Sequence, residues 1–161
     1  MADNIQEEIE DKVIDCINSG VNGRLVIFKP EKSLFGADLV VEKRGEYKEK
    51  GREAHLKINI LAGPAKEEIL IKDFQQEGFK ADKNFYMLFA YFDEVGQKLG
   101  NYIWLVPSLQ FKDIAEVAQG FLRFEAPLDF KQKSKYSKFL IETKELGHVI
   151  LSLIEKSSIK V

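Results

Sequence analysis

Residues 37–42 and 53–60 alternate apolar and polar side chains with a period of two, which is the pattern of β-strands with two different faces. Residues 43–52 connect them, and this linker is charged and contains Gly45 and Gly51. Such a composition is typical of a solvated hairpin connection. The pattern therefore predicts that the two strands form a hairpin.

Helical and strand patterns surround this hairpin. Apolar residues at three- and four-residue steps predict a first helix over residues 4–19 and a closing helix over residues 139–156. A short helix is predicted to start at Ser108 or Gln110 and to run through residues 113–118, and residues 67–72 fit a strand or a helix. The second hairpin strand extends to residue 61, and further strands are predicted over residues 24–29, 84–92, 102–106 and 121–126. Because residues 84–92 and 102–106 are nearly all apolar, we expect them at the middle of a mixed sheet in an α/β fold, flanked by helices.

Composition narrows the class of protein. The chain has 161 residues, 45% hydrophobic and 31% charged, which suits one globular domain over residues 1–161. Its net charge of −2 provides no general attraction to nucleic acid, so binding would need a local basic face. Cys16 is the only cysteine, so no intramolecular disulfide forms. The acidic start and the lack of a run of about 18 apolar residues predict a cytoplasmic protein without a membrane span.

The hairpin also places chemically useful side chains together. If the two strands pair, Asp38 comes close to His55 and Lys57, and Glu53 lies on the same face of the second strand. A carboxylate beside a lysine and further polar groups suits a divalent metal ion and phosphate chemistry. A structural interpretation stays open: Asp38 caps a strand end or pairs with Lys57 or Arg24, and His55 and Lys57 belong to a solvated strand face.

This pattern resembles the PD-(D/E)XK nuclease superfamily, whose members have a restriction-endonuclease-like fold. Gly36-Ala37-Asp38 looks like the glycine-x-aspartate strand of that superfamily. His55-Leu56-Lys57 occupies the place of its acid-x-lysine tripeptide, where an acid or a glutamine precedes the lysine. His55 therefore departs from the superfamily pattern. The order of the predicted elements, a helix and a strand before the two motif strands and buried strands after them, is also similar.

The resemblance implies a metal-dependent nuclease with Asp38, His55 and Lys57 as catalytic residues. Asp38 would hold Mg²⁺ or Mn²⁺, and His55 or Glu53 would complete the metal ligands. Lys57 would orient the attacking water or stabilise negative charge on the phosphate. Since imidazole is a poor Mg²⁺ ligand, His55 favours Mn²⁺. The loss of an acid at position 55 equally suits the alternative, an inactive nuclease-fold module that binds nucleic acid or a protein.

Two further features bear on partners. Lys131, Lys133, Lys135 and Lys138 lie around Phe130 and Tyr136 in a basic stretch over residues 129–138, which predicts either a nucleic-acid contact or a solvated loop. The first helix of related proteins sometimes lends a carboxylate to the metal. Here Glu8 and Asp11 lie off the apolar stripe, and the alternative is an acidic solvated face. Nucleases of this fold often dimerise to cut two strands, so the resemblance also implies a homodimer.

Overall fold

The computed structural model describes residues 2–30, 37–44 and 55–159, which form α-helices and β-strands. The α-helices among them are α1 (Ala2–Asn18), α2 (Ser108–Ile114) and α3 (Leu146–Ile159). The strands are β1 (Leu25–Phe28), β2 (Leu39–Lys43), β3 (His55–Gly63), β4 (Ile69–Gln75), β5 (Phe85–Asp93), β6 (Lys98–Pro107), β7 (Glu116–Ala118), β8 (Phe121–Pro127) and β9 (Leu140–Glu142). Glu53 and most of the predicted hairpin connection lie outside the described residues.

A six-stranded mixed sheet in the order β1-β2-β3-β5-β6-β9 is the centre of the molecule. β3 and β5 run parallel, whereas every other neighbouring pair in this sheet is antiparallel. The predicted pairing of the two motif strands is confirmed, because β2 pairs with β3 and Val40 lies opposite Lys57. The α/β class and the mixed sheet are confirmed as well.

A second sheet, which the sequence analysis did not predict, contains three antiparallel strands in the order β4-β8-β7. Residues 67–72 fitted a strand or a helix in the sequence, and residues 69–72 form the first part of strand β4. The two sheets enclose a core rich in aromatic side chains, including Phe85, Phe89, Trp104 and Phe124. The rings of Phe89 and Phe124 stack with centroids 4.0 Å apart. Burial of these rings is what holds the second sheet against the first.

The opposite face of the large sheet packs on α1 and α3. Ile9, Val13 and Ile17 of α1 are buried there, as the predicted apolar stripe requires. Two predicted helices extend too far. The closing helix begins at Leu146 and not at residue 139, because residues 140–142 pair with β6 as β9. Likewise α2 ends at Ile114, since residues 116–118 pair with β8 as β7.

No helix in the described ranges has both the length and the apolar character that crossing a membrane requires.

Gly147, near the start of α3, allows α3 to approach α1 closely. A Cβ at this position would overlap the carbonyl oxygen of Ile17 and lie 3.0 Å from Cγ1 of Val21. We predict that Gly147→Ala lowers the free energy of unfolding by about 1–3 kcal/mol, because the helices must move apart. Urea denaturation of the variant and of wild type measures the change. Ser152→Ala, at an exposed position of the same helix, is the control and should leave stability almost unchanged.

Candidate functional site

Asp38 lies directly before β2 and ends the ladder between β2 and β3. Its backbone N–H donates to the carbonyl oxygen of Ile58 at 2.7 Å, and its Oδ2 accepts from the N–H of Ile60 at 2.6 Å. The carboxylate thus satisfies a backbone donor that β2 is too short to reach, which is the strand-end role that the sequence left open. Oδ1 of Asp38 accepts no hydrogen bond from the described residues.

The Asp38 carboxylate is half-buried, and the negative charge of a second acid acts on it. Burial is the main cause that raises the pKa of Asp38 to about 6, and the negative charge of Glu10 on α1 adds to it. The hydrogen bond from Ile60 acts in the opposite direction. Glu10 also lies 3.7 Å from the Nζ of Lys29, whose closer partner is Asp11 at 2.8 Å. The surroundings of Asp38 therefore favour a bound cation over an isolated negative charge.

Lys57 and His55 lie on the face of β3 that is turned away from α1 and α3. Since Leu56 and Ile58 point into the core beneath α1 and α3, the residues that alternate with them point toward the second sheet. Nζ of Lys57 is 3.5 Å from Oδ2 of Asp82 and 6.0 Å from the centroid of the Phe85 ring. Lys57 therefore has an anionic partner on the loop before β5.

Asn84 and Ser108 hold this loop in place. Nε2 of His55 lies 2.9 Å from Nδ2 of Asn84, and the carbonyl oxygen of Asn84 accepts from the N–H of Lys57 at 2.8 Å. The fully buried Ser108 accepts from the N–H of Asp82 and donates to its carbonyl oxygen, both at 2.9 Å. These bonds fix the Asp82 backbone and hence the position from which its carboxylate meets Lys57.

The structure thus brings the sequence-predicted residues onto paired strands but gives them different partners. Asp38 contacts Ile60, whereas Lys57 contacts Asp82, and no ion pair within the described ranges joins Asp38 to Lys57. Glu53 falls outside the described residues. The sequence analysis missed Glu10, although it borders the apolar stripe one position after Ile9. It also missed Asp82, Asn84 and Ser108, whose proximity to β3 depends on a strand register that no local pattern reveals.

The donor set around Asp38 suits only some metal ions. In the part of the chain that the structure describes, no three His, Cys, Asp or Glu side chains group as metal ligands. A closed zinc-type site would need such a group. Mg²⁺ is commonly bound by one or two carboxylates and completes its shell with water and substrate phosphate. Asp38, assisted by Glu10, fits that requirement, with Oδ1 of Asp38 available for the ion.

The predicted basic residues lie on the loop between β8 and β9. Lys131, Lys133 and Lys135 are all exposed. Phe130 is 38% exposed, whereas Tyr136 is fully buried and its hydroxyl donates to the carbonyl oxygen of Arg123 at 3.3 Å. Phe130, and not Tyr136, is therefore the aromatic side chain that this loop presents to solvent.

Asp38→Asn tests the surroundings of the carboxylate through protein stability. Well below pH 4 the carboxyl is protonated in both the folded and the unfolded state. Because its folded pKa of about 6 exceeds the unfolded value of about 3.9, the stability of wild type falls as pH rises from 4 to 6 and stays lower above that. Asparagine keeps an acceptor for the Ile60 N–H and carries no charge.

We therefore predict that Asp38→Asn is more stable than wild type by about 1–3 kcal/mol at pH 8. The difference should shrink toward zero at pH 4. Urea denaturation at pH 4, 6 and 8 measures it, with Asp113→Asn, at an exposed position, as the control. A stability difference that does not depend on pH would contradict the burial and repulsion inferred for Asp38.

Comparison with known proteins adds no relative to this picture. No protein family matches the chain, and no curated protein or solved structure matches it either. The likeness to the PD-(D/E)XK superfamily accordingly rests on residues of this chain alone: Asp38, the His55-Leu56-Lys57 tripeptide and the order of the elements around them.

Proposed function

We propose that this protein is a metal-dependent phosphodiesterase that cleaves nucleic acid, with a restriction-endonuclease-like fold. The observation that carries the proposal is the state of Asp38. Its carboxylate is half-buried, is acted on by the negative charge of Glu10, has one oxygen that accepts no hydrogen bond from the described residues, and lies directly before the strand that pairs with the Lys57 strand. A half-buried carboxylate in a negative field gains free energy from a divalent cation.

The order of the elements supports the fold part of the proposal. α1 and β1 come first in the chain. β2 follows directly after Asp38, and β3, which carries Lys57, comes next. In the next two strands of the large sheet, most of β5 and residues 103–106 of β6 are buried, as expected for central strands. This is the order in which the sequence resembles the nuclease superfamily. The second sheet, inserted between β3 and β5 and again after α2, would then be a feature of this chain.

The roles of the residues follow from charge and position. Asp38 and Glu10 would hold the Mg²⁺ or Mn²⁺ ion. When bound, that ion would polarise the phosphate and lower the pKa of a coordinated water. Lys57 lies opposite Val40, two residues along β2 from Asp38, but its side chain points to the face of the sheet away from α1 and Glu10. It would therefore have to reach the phosphate past the end of β2, where Asp38 lies, to stabilise the negative charge that develops there. Asp82 would position the Lys57 ammonium, from its own site fixed by Ser108.

A second candidate function, an inactive module that binds nucleic acid or a protein, is favoured by a different observation. Asp38 and Lys57 both have structural partners, in the Ile60 N–H and the Asp82 carboxylate. Residues engaged in this way can stabilise a fold without performing chemistry. Metal-dependent turnover separates the two functions, whereas binding alone does not.

Cleavage of a panel of plasmids and oligonucleotides is the test. We predict cleavage in Mn²⁺ that stops with EDTA. Asp38→Asn, Glu10→Gln and Lys57→Ala should each lower the rate by about 100-fold or more, since each removes charge that acts on the transition state. Glu7→Gln, at an exposed position of α1, is the control for Glu10→Gln and should cleave like wild type. An equal loss of cleavage rate in Glu7→Gln would show that substitutions in α1 act through folding and not through the charge of Glu10.

His55→Glu tests the departure from the superfamily pattern. This substitution restores an acid at the position that precedes Lys57 by two residues, so a second hard ligand becomes available on that strand. We predict that it raises the Mg²⁺-supported cleavage rate more than the Mn²⁺-supported rate. His55→Gln, which is similar in shape but uncharged, is the matched control. If neither wild type nor His55→Glu cleaves any member of the panel, the enzymatic proposal fails and the binding module stands.

A further inference from the structure

Two glycines let side chains lie across the large sheet at the carboxyl ends of β3 and β5. Lys72 of β4 lies over Gly63 of β3, where an added Cβ would be 2.6 Å from the lysine Nζ. Tyr91 of β5 lies over Gly100 of β6, with its Cδ2 3.7 Å from an added Cβ. Residues 63 and 91 are themselves opposite each other in the parallel pair. Lys72 and Tyr91 are therefore neighbours on one surface.

Two more aromatic rings continue this row. Tyr102 follows Gly100 by two residues on β6 and so lies on the same face. Its ring centroid is 4.7 Å from that of Phe130, on the basic loop. Phe130 is 38% exposed, and Tyr91 and Tyr102 are partly exposed. We call Lys72, Tyr91, Tyr102 and Phe130 the aromatic row.

Lys72 provides a positive charge at one end of the aromatic row. It lies on the same face of β4 as Leu70 and Phe74, which pack into the core between the sheets, so its side chain points inward. Within the described residues its Nζ has neither an ion pair nor a hydrogen-bond acceptor. Burial lowers its pKa, while the charge of Glu94 opposes that effect. A partly desolvated ammonium of this kind gains free energy when an anion binds.

Lys131 and Lys133 provide positive charge at the other end. Both are exposed; Lys131 follows Phe130 directly, and Lys133 lies two residues further along the loop. Adjacent strands are about 4.8 Å apart, so the aromatic row spans roughly 15 Å between Lys72 and Phe130. Positive charge at both ends with aromatic faces between them matches a polymer with a phosphate backbone and planar bases. An inward lysine on an edge strand can also discourage pairing with other chains, but that role does not account for the rings.

We propose that the aromatic row binds single-stranded nucleic acid, with bases stacked on Tyr91, Tyr102 and Phe130 and phosphates against the flanking lysines. A duplex hides the faces of its bases and so cannot use the rings. The inference rests on the proposed function, because it takes nucleic acid as the ligand. Lys57 pairs with Phe85, six residues before Tyr91 on β5, so the aromatic row lies roughly 20 Å from Lys57. It is a binding surface separate from the proposed reaction centre.

Fluorescence anisotropy with labelled oligonucleotides in EDTA tests the stacking. We predict that wild type binds a single strand more tightly than the duplex of the same sequence. Phe130→Ala should weaken single-strand binding by about 5-fold or more, whereas Phe130→Trp should retain it. Phe121→Ala is the matched control, since Phe121 is 43% exposed on the second sheet, and it should bind like wild type.

The salt dependence of binding tests the charged ends. Lys72→Met keeps the length of the side chain and removes its charge, so it should lower the slope of log Kd against log salt by about 1. Lys66→Met, at an exposed position outside the row, should leave the slope unchanged. Loss of slope in both variants would show a general effect of net charge and would overturn the role of Lys72.

Two further outcomes overturn the inference. One is duplex binding as tight as single-strand binding. The other is a Phe130→Ala variant that binds like Phe121→Ala, including the case in which none of the proteins binds a single strand. Since no metal is present, these results do not depend on cleavage. A protein that cleaves duplex but fails this test retains the proposed function, and one that binds single strands without cleaving loses only the enzymatic proposal.

Discussion

The parallel pairing of β3 with β5 is the constraint on which the rest of the structure depends. Parallel neighbours require the chain to return from one end of the sheet to the other. Here residues 64–84 make that return, and β4 lies within them. An edge strand alone would not be stable, so β4 pairs with β8, which pairs with β7. The second sheet and the aromatic core beneath it therefore follow from the direction of a single pair of strands.

The same crossover builds polar contacts at both ends of β3. At the amino end of β3, the last residues of the crossover place Asp82 beside Lys57 and Asn84 beside His55. At the carboxyl end, β4 places Lys72 over Gly63. The position of Asp38 has a different cause, the short length of β2. Because β2 does not extend to Ile60, the N–H of Ile60 donates to the Asp38 carboxylate instead. α1 then brings Glu10 near that carboxylate. Each candidate functional group thus lies where a strand ends or where the chain enters the next one.

Local periodicity was sufficient to predict the elements that a single stretch determines. The alternation over residues 37–42 and 53–60 predicted the β2–β3 pair, and the apolar stripe of α1 predicted its buried side. The predictions failed where the pairing of strands, and not the local sequence, decides the structure. Leu140 and Ile141 fit an apolar helix as well as a strand, and only contact with β6 makes them β9. The contact of Asp82 with Lys57 similarly depends on register, and Glu10 is one helical position away from the residues that the stripe defines.

Our central proposal is that Asp38, a half-buried carboxylate on which the negative charge of Glu10 acts, binds a divalent cation. A ¹³C NMR titration of the Asp38 carboxyl carbon, with and without Mg²⁺ and with Asp38→Asn to assign the signal, tests it most directly. The account predicts a pKa of about 6 without the ion and a clearly lower pKa with it, because the cation stabilises the charged form. An ordinary pKa near 4, or one that Mg²⁺ leaves unchanged, would contradict the claim.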